Sequence, residues 1–273
     1  MPSAGTGDQE SPSFAAYKSI VAYDGTEFEG FQRQTEGRRT VQGELERALR
    51  SIGWAGQSLR AAGRTDQGVH ALGQVISYRL NWRHAAEDLT RALNANLPHD
   101  IAVRRTQKTG LEFHPRFSAV SRRYRYSILI DPVRHPLLER YAWRLETEPD
   151  LDVMQASASE LLGEHDFGAL GTAPVAGGHT RRKVLEAVWM ADGTDLTFQI
   201  EADAFLYHMV RRIVALLVAI GQEREAPDTM HKALAKPSVV WQGGLAPACG
   251  LCLTAVKYGA GDPEYEAIDN SQE

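Results

Sequence analysis

Strand-like and helix-like segments follow one another in two successive groups along this chain of 273 residues. Short runs rich in β-branched and aromatic residues favour strands, whereas apolar residues spaced three and four apart favour helices. The order of these segments predicts two α+β halves. The predicted strands are 17–23, those flanking residues 63–68, 101–106, 123–130, 184–190, 196–201 and 251–258, and the predicted helices are 41–52, 84–94, 151–162 and 206–221.

Several local signals support this pattern. Thr40 precedes the apolar stripe of the first helix and is a good N-cap residue. The pair Asp192-Gly193 separates two strand-like runs and is a strong hairpin signal. Residues 167–172 and the Ala/Pro/Gly-rich stretch that follows them predict a mobile loop.

The composition is that of a globular chain, since 43% of the residues are hydrophobic. The best candidate for a membrane-spanning run, residues 213–220, has eight residues, and a span needs about 18 or more. The first 16 residues contain no basic segment followed by an apolar one, as a secretory signal would. We therefore expect no membrane span and a cytoplasmic location.

The formal net charge of −5 is concentrated at the two ends of the chain. Residues 1–16 and 259–273 hold seven of the 35 acidic residues, which leaves 28 acidic against 30 basic residues between them. The body is therefore slightly basic. Both ends are short and polar, and we predict that they are disordered tails.

The basic residues of the body occur in clusters. Such clusters form either solvated faces or a track for a phosphate backbone, and the sequence leaves both interpretations open. The clusters are Arg104, Arg105 and Lys108; Arg122, Arg123 and Arg125; Arg181, Arg182 and Lys183; and Arg211 and Arg212.

Cys249 and Cys252 stand in a Cys-Gly-Leu-Cys spacing that also occurs in redox pairs and zinc sites. A zinc site needs about two further soft ligands, and no pair of histidines stands nearby at ligand spacing. A redox motif opens a helix, whereas residues 251–256 predict a strand. We therefore interpret both cysteines as structural thiols and expect no metal site.

The most informative motif is Gly63-Arg64-Thr65-Asp66-Gln67-Gly68-Val69-His70, which the pattern places in a loop between two strands. Gly63 and Gly68 permit positive φ and the close approach of a ligand. Arg64 could hold the Asp66 carboxylate ionised or bind a phosphate. On local chemistry alone, an Asx-turn in which Asp66 bonds its own backbone remains the simpler interpretation.

Further segments accompany the octet and its continuation through Val75. They are residues 23–34, 41–46, 94–98, 113–119, 123–126 and 204–211. The octet closely resembles the signature of the TruA family of pseudouridine synthases, and the other segments resemble that family in the family's own order. Because the matches span roughly residues 17–258, chance does not account for them.

This resemblance implies a fold in which each half is a ferredoxin-like or RRM-like unit. The two sheets would join into one continuous, mainly antiparallel sheet flanked by helices, with the catalytic cleft between the halves. The N-terminal half, residues 17–115, would carry the catalytic aspartate, and residues 116–258 would form the C-terminal half. Residues 1–16 and 259–273 would lie outside both.

The resemblance also implies the catalytic group. Asp66 matches the family's catalytic aspartate, the nucleophile, and Arg211 matches the arginine that pairs with it. An ion partner lowers the pKa of a carboxyl that burial raises. An ordinary solvent-facing arginine is the alternative for Arg211, and Arg64 is the rival partner. In the family, Arg64 would instead contact the RNA and fill the space left by a flipped base.

Two positions match the walls of the family's base pocket. Tyr124 matches a tyrosine that stacks on the target uracil and is a candidate general base, although it could also be a core residue beside Tyr126. Leu251 matches a leucine on the other side of the base. The family commonly has an aromatic residue where this chain has Cys252.

Three other residues stand within the matched segments. Arg33 and His70 are assigned to substrate binding, although His70 and His208 could equally be structural. We assign neither histidine to the chemistry, because the resemblance gives that role to Asp66.

The activity implied is isomerisation of uridine to pseudouridine in the anticodon stem-loop of tRNA, at positions 38 to 40. The bond from N1 to the ribose breaks and C5 joins the same carbon, so no metal, nucleotide or redox cofactor is expected. The family is homodimeric, with each tRNA lying across both subunits. A related synthase with another RNA target and a non-catalytic RNA-binding protein on the same scaffold remain alternatives.

Overall fold

The computed structural model describes residues 14–34 and 37–259. Its helices are α1 (Val41–Ser51), α2 (Ala86–Asn94), α3 (Leu151–Ser159), α4 (Met209–Gly221) and α5 (Thr229–Ala235), and a 3-10 turn spans Ala248–Gly250. Its strands are β1 (Ala15–Tyr23), β2 (Arg60–Ala61), β3 (His70–Leu80), β4 (Ile101–Thr109), β5 (Ala119–Ile130), β6 (Trp143–Leu145), β7 (Gly163–Asp166), β8 (Arg181–Asp192), β9 (Asp195–Ala202) and β10 (Leu251–Tyr258). The predicted tails lie largely outside the described residues, and β1 begins two residues before its predicted start.

The described strands form a single sheet in the order β4-β1-β3-β10-β5-β9-β8-β7, with β2 beside β3 and β6 beside β5. The closing strand β10 joins the two halves. It runs antiparallel to β5 and pairs in parallel with β3 through Cys252 opposite His70 and Leu253 opposite Ala71. This arrangement confirms the predicted mainly antiparallel sheet flanked by helices.

Two hydrophobic cores lie against this sheet. Helices α1 and α2 bury Leu45, Leu49, Leu89 and Leu93 in the first core. Helices α3 and α4 cover the second, with Met154, Ile213 and Leu217 packed near Tyr126 and Phe198. The partly buried ring of Tyr124 packs against both cores, which places it at the junction between the halves.

The local signals for the first helix and the hairpin are confirmed. Thr40 is the N-cap of α1, and its hydroxyl oxygen accepts a hydrogen bond from the amide of Gly43 at 3.3 Å. Gly193 adopts a positive φ of 59° between β8 and β9, as the tight hairpin requires.

The prediction of a mobile loop at residues 167–172 is wrong. Phe167, Ala169 and Leu170 are fully buried in the second core. Thr172 forms an isolated antiparallel bridge with Tyr207. This pairing holds residues 205–208 in non-helical conformation, so α4 begins at Met209 rather than at the predicted position 206.

Neither interpretation of the basic clusters holds for Arg122 and Arg182, which are buried. The guanidinium of Arg122 donates hydrogen bonds to the backbone carbonyls of Asp203, at 2.7 Å, and Arg116. The guanidinium of Arg182 donates to the carbonyl of His179 at 3.2 Å. Both arginines therefore fasten loops to the sheet.

Within the residues that the structure describes, none of the helices combines the length and the apolar character that crossing a membrane requires.

Candidate active site

Asp66 lies in the loop between β2 and β3, and neighbouring segments anchor that loop. The carbonyl of Thr65 accepts a hydrogen bond from the amide of Phe31 at 3.0 Å, and the Thr65 hydroxyl bonds the Tyr23 hydroxyl at 2.8 Å. Gly68 takes a positive φ of 76° two residues after Asp66. The loop is thus fixed by contacts to the first half of the chain.

The Asp66 carboxylate contacts the side chain of Arg211. Its Oδ2 atom lies 3.3 Å from Nη1 of Arg211, which donates a hydrogen bond to it. Among the described residues, the carboxylate accepts no backbone hydrogen bond, so the Asx-turn interpretation is wrong. A backbone bond from the amide of Val69 to the Asp66 carbonyl, at 3.2 Å, closes the turn instead.

The guanidinium of Arg211 forms hydrogen bonds through two of its nitrogens. While Nη1 contacts Asp66, Nε donates to the carbonyl of Ala246 at 2.8 Å, and the amide of Ala246 donates back to the Arg211 carbonyl at 3.1 Å. The side chain is only 15% exposed, so the alternative interpretation of Arg211 as a solvent-facing arginine is wrong. A fixed, partly buried guanidinium places a positive charge beside the Asp66 carboxylate.

A narrow cleft of about 60 Å³ opens beside Asp66 and Arg211. Tyr124 and Leu251 line it, and the ring of Phe205 meets the ring of Tyr124 edge-on, with centroids 5.0 Å apart. The structure therefore brings together five residues that the sequence resemblance assigned to the site: Arg64, Asp66, Tyr124, Arg211 and Leu251.

Burial raises the pKa of the Tyr124 phenol well above its ordinary value, and the nearby Asp66 charge acts in the same direction, against the lowering effect of Arg122. Tyr124 is therefore a neutral phenol at neutral pH. Its hydroxyl forms no hydrogen bond with any residue that the structure describes. The ring can stack on a base, and proton abstraction by its oxygen would require activation by the bound substrate.

Arg64 lines the cleft, and its side chain is exposed. It forms no ion pair with another described residue, so it is not the partner of Asp66. Its guanidinium is available to a ligand that enters the cleft.

His208 is the site residue that the sequence interpretation missed. Its Nε2 atom lies 3.4 Å from Oδ2 of Asp66, and its backbone has the left-handed angles φ 64° and ψ 2° immediately before α4. Burial lowers the pKa of this imidazole, and the charges of Arg211 and Arg212 act in the same direction, against Asp66. No local sequence signal indicated this contact, because the left-handed conformation of His208 accompanies the pairing of Tyr207 with Thr172.

The structure does not bring Arg33 or His70 to this cleft. Arg33 pairs with the buried Glu46 of α1, with Nη1 2.6 Å from Oε2. His70 is buried, accepts a hydrogen bond from the amide of Gly25 at 3.0 Å, and lies 3.2 Å from a carboxylate oxygen of Asp24. It lines a second, larger cavity of about 360 Å³. The assignment of both residues to substrate binding stays a prediction.

Cys249 and Cys252 are free thiols that line that second cavity. Burial raises the pKa of Cys249, and it raises the pKa of Cys252 to about 11. Neither is therefore a reactive thiolate at neutral pH.

Comparison with known proteins agrees with this arrangement. The family model for tRNA pseudouridine synthases matches residues 19–118 and 157–259, which include Asp66, Arg211 and Leu251. The tRNA pseudouridine synthase A of Geobacter sp. (strain M21) is 38% identical over 242 residues, which are 88% of this chain and 98% of the relative. The enzymes of that name from Moorella thermoacetica and Chloroflexus aurantiacus are 40% and 41% identical, over 88% and 89% of this chain and 98% and 88% of the relatives. The chain therefore belongs to the tRNA pseudouridine synthase family.

Proposed function

We propose that Asp66 is the catalytic residue of an enzyme that converts uridines at positions 38 to 40 of the tRNA anticodon stem-loop into pseudouridine. Membership of the family makes the chain an isomerase that forms pseudouridine in tRNA. One observation carries the assignment of Asp66: its carboxylate lies 3.3 Å from the fixed guanidinium of Arg211, in a cleft that Tyr124 and Leu251 also line.

The reaction needs a group that can attack or stabilise an electron-poor ribose carbon, and the carboxylate of Asp66 is such a group. The bond from N1 to C1′ breaks with its electron pair on the base, the base turns, and C5 bonds to C1′. The proton on C5 then leaves, and N1 ends protonated. A carboxylate supports such a centre as the carboxylates of glycosidases do, and no electron is gained or lost overall. We therefore propose no metal, nucleotide or redox cofactor.

The walls of the cleft suit a uracil that has left the RNA stack. An enzyme that acts on the atoms of a base must reach them outside the helix. Tyr124 offers a flat ring on one side, and Leu251 offers an apolar side chain in the same cleft. Arg64 is exposed at the same place and would contact the RNA, filling the space that the base leaves.

The charge of the chain bears on how it holds tRNA. The body carries only two more basic than acidic residues, and two of its arginines, Arg122 and Arg182, are buried. A homodimer in which each tRNA crosses both subunits would double the basic surface available to one RNA. We propose this arrangement, with the enzyme acting on tRNA in the cytoplasm and with Arg33 and His70 contacting parts of the RNA away from the target base.

The test is release of tritium from uridines labelled at C5 in an unmodified tRNA transcript, with a chelator present. The parent should release tritium and Asp66→Ala should not, while Asp152→Ala, which removes an exposed carboxylate of α3, should match the parent. Transcripts with cytidine at positions 38 to 40 should release none. Equal release by the parent and Asp66→Ala would overturn the catalytic assignment, and release that persists without uridines 38 to 40 would overturn the target.

The same experiment addresses the non-catalytic alternative. If the parent binds tRNA tightly but releases no tritium from any transcript, the chain is an RNA-binding protein on this scaffold and the proposed activity is wrong.

A further inference from the structure

We propose that His208 is a positioning residue for the reaction: with Arg211 it holds one carboxylate oxygen of Asp66 and so presents the other oxygen, Oδ1, to the substrate. This inference rests on the proposed function and adds to it a residue and the identity of the reacting oxygen.

Both contacts to the carboxylate converge on the same atom. Nη1 of Arg211 lies 3.3 Å from Oδ2 of Asp66, and Nε2 of His208 lies 3.4 Å from that oxygen. Among the residues that the structure describes, Oδ1 forms neither a hydrogen bond nor an ion pair. Arg211 donates a hydrogen bond to this oxygen, and the imidazole Nε2 of His208 lies in contact with it. Two contacts on one oxygen restrict the rotation of the carboxylate about its last bond, and neither of them involves Oδ1.

The strained backbone of His208 supports a functional role for the position of its imidazole. His208 has φ 64°, a conformation that glycine adopts freely and other residues adopt at a cost. Glu223 is the other described non-glycine residue with positive φ, and it is exposed beyond the opposite end of α4. Such strain persists only where the surrounding structure imposes it, and it is concentrated at functional sites.

Contacts of the two residues that precede His208 impose the conformation. Tyr207 exchanges two backbone hydrogen bonds with Thr172, of 2.9 and 3.1 Å. A Cβ atom at Gly171 would lie 2.6 Å from Cβ of Leu206, so this glycine lets the two segments approach. The Tyr207 ring also lies against the imidazole, with centroids 3.7 Å apart. The imidazole is therefore held against Asp66 from outside the helix.

The charges around His208 suit a neutral donor. Asp66 faces it from the β2–β3 loop, and Arg211 and Arg212 face it from α4. A neutral imidazole with its proton on Nε2 would place an N–H group beside Oδ2, with the two heavy atoms 3.4 Å apart, without adding a third positive charge beside the two guanidinium groups. It thus orients the carboxylate while Arg211 supplies the charge.

The experiment compares His208→Asn, His208→Gln and His208→Gly under single-turnover conditions. Asparagine tolerates positive φ, but its side chain is too short to reach Asp66. Glutamine restores an N–H donor near the position of Nε2. We expect the rate of tritium release to fall about tenfold or more in His208→Asn and His208→Gly, the size expected for a lost donor to a charged acceptor, and to recover in His208→Gln. Affinity for tRNA should change less than about threefold, since the contact is made to the carboxylate.

Thermal unfolding separates positioning from a structural role. His208→Gly relieves the backbone strain and should have a Tm equal to or above that of the parent while losing rate. Glu223→Asn, at the opposite end of α4, should match the parent in rate. Parental rates in His208→Asn and His208→Gly would overturn the inference, as would a loss of rate that follows the loss of folded protein or a rate in His208→Gln no better than in His208→Asn.

The controls distinguish this inference from the proposed function. An inactive parent would contradict the proposed function itself. An active parent, an inactive Asp66→Ala and an unaffected His208→Asn would leave the proposed function standing and overturn only the role of His208.

Discussion

The carboxylate of Asp66 and the guanidinium of Arg211 meet at 3.3 Å although 145 positions separate them in the sequence. Asp66 belongs to a loop anchored by the first half of the chain, and Arg211 belongs to a helix packed in the core of the second half. Strand β10 makes the meeting possible, because it pairs with β3 on one side and β5 on the other. The site therefore exists only when both halves are folded and joined.

The two hydrogen bonds of the Arg211 guanidinium, to Asp66 and to Ala246, lead to the first prediction. Arg211→Lys keeps a positive charge but cannot contact both the Ala246 carbonyl and Asp66 as the planar guanidinium does. We expect single-turnover tritium release to fall by roughly 10- to 100-fold, corresponding to about 1.5–3 kcal/mol for a hydrogen bond to a charged group. Arg47→Lys, on the exposed face of α1, should leave the rate unchanged, and a parental rate in Arg211→Lys would show that charge alone suffices.

Substitutions at Tyr124 can test the role of its hydroxyl and the role of its ring independently. Because the hydroxyl has no partner among the described residues, Tyr124→Phe should fold as stably as the parent and bind tRNA equally well. We expect it to release tritium at least about tenfold more slowly, since positioned groups that move protons contribute about 10²–10⁴-fold. An unchanged rate would limit Tyr124 to stacking. Tyr124→Ala should in addition lose about 3 kcal/mol of stability, because the ring packs against both cores.

The sequence resemblance identified the loop of Asp66 and five of the residues that line its cleft, because short motifs carried that information. It could not identify His208, whose left-handed backbone results from the pairing of Tyr207 with Thr172. For a related reason, the sequence did not predict the burial of Phe167. Its glycine- and alanine-rich surroundings are typical of loops, and only the tertiary contacts of the second core bury it.

The charge pattern did not predict the burial of Arg122 and Arg182, because both of its interpretations place a basic cluster on the surface. Arg122 is buried since carbonyls from Arg116 and Asp203, distant in sequence from each other, converge on its guanidinium. The short strands β6 and β7 were also missed, because three or four residues are too few to show a period. The long strands and helices, by contrast, carry clear periods and were predicted.

The glycine at position 171 gives a prediction about the support of the site. Any side chain there meets Leu206 at 2.6 Å and Met209 at 3.2 Å, so Gly171→Val should be destabilised by about 1–3 kcal/mol through overpacking. The displaced Tyr207 and His208 should also slow tritium release in the fraction that remains folded. Thermal unfolding and single-turnover rates measure the two effects. Gly110→Ala, where a Cβ meets nothing within 4 Å, is the control, and a parental Tm for Gly171→Val would contradict the close packing.

A buried ion cluster across three strands gives a prediction about pH and stability. Glu201 of β9 accepts a hydrogen bond from Ser121 at 2.6 Å and lies 2.8 Å from Arg123 on β5 and 3.1 Å from Lys257 on β10. Burial opposes its ionisation, but the contacts from Ser121, Lys257 and Arg123 together lower its pKa below the ordinary value. The ionised carboxylate therefore stabilises the point at which β10 joins the second half.

Glu201→Gln should remove the carboxylate charge that Arg123 and Lys257 both contact, although Arg123 keeps its contact with Glu186 at 3.4 Å, and it should reduce the free energy of unfolding by about 3 kcal/mol. Because the folded pKa is depressed, the parent's advantage should be fully present above about pH 4.3, the ordinary glutamate value, and should shrink as the pH falls below it. Urea denaturation of both proteins from pH 7 to pH 3 measures this difference. Glu164→Gln, which breaks an exposed pair with Arg181, should cost less than about 1 kcal/mol. A difference between parent and Glu201→Gln that stays constant through pH 3 would show that Glu201 acts by packing rather than by charge.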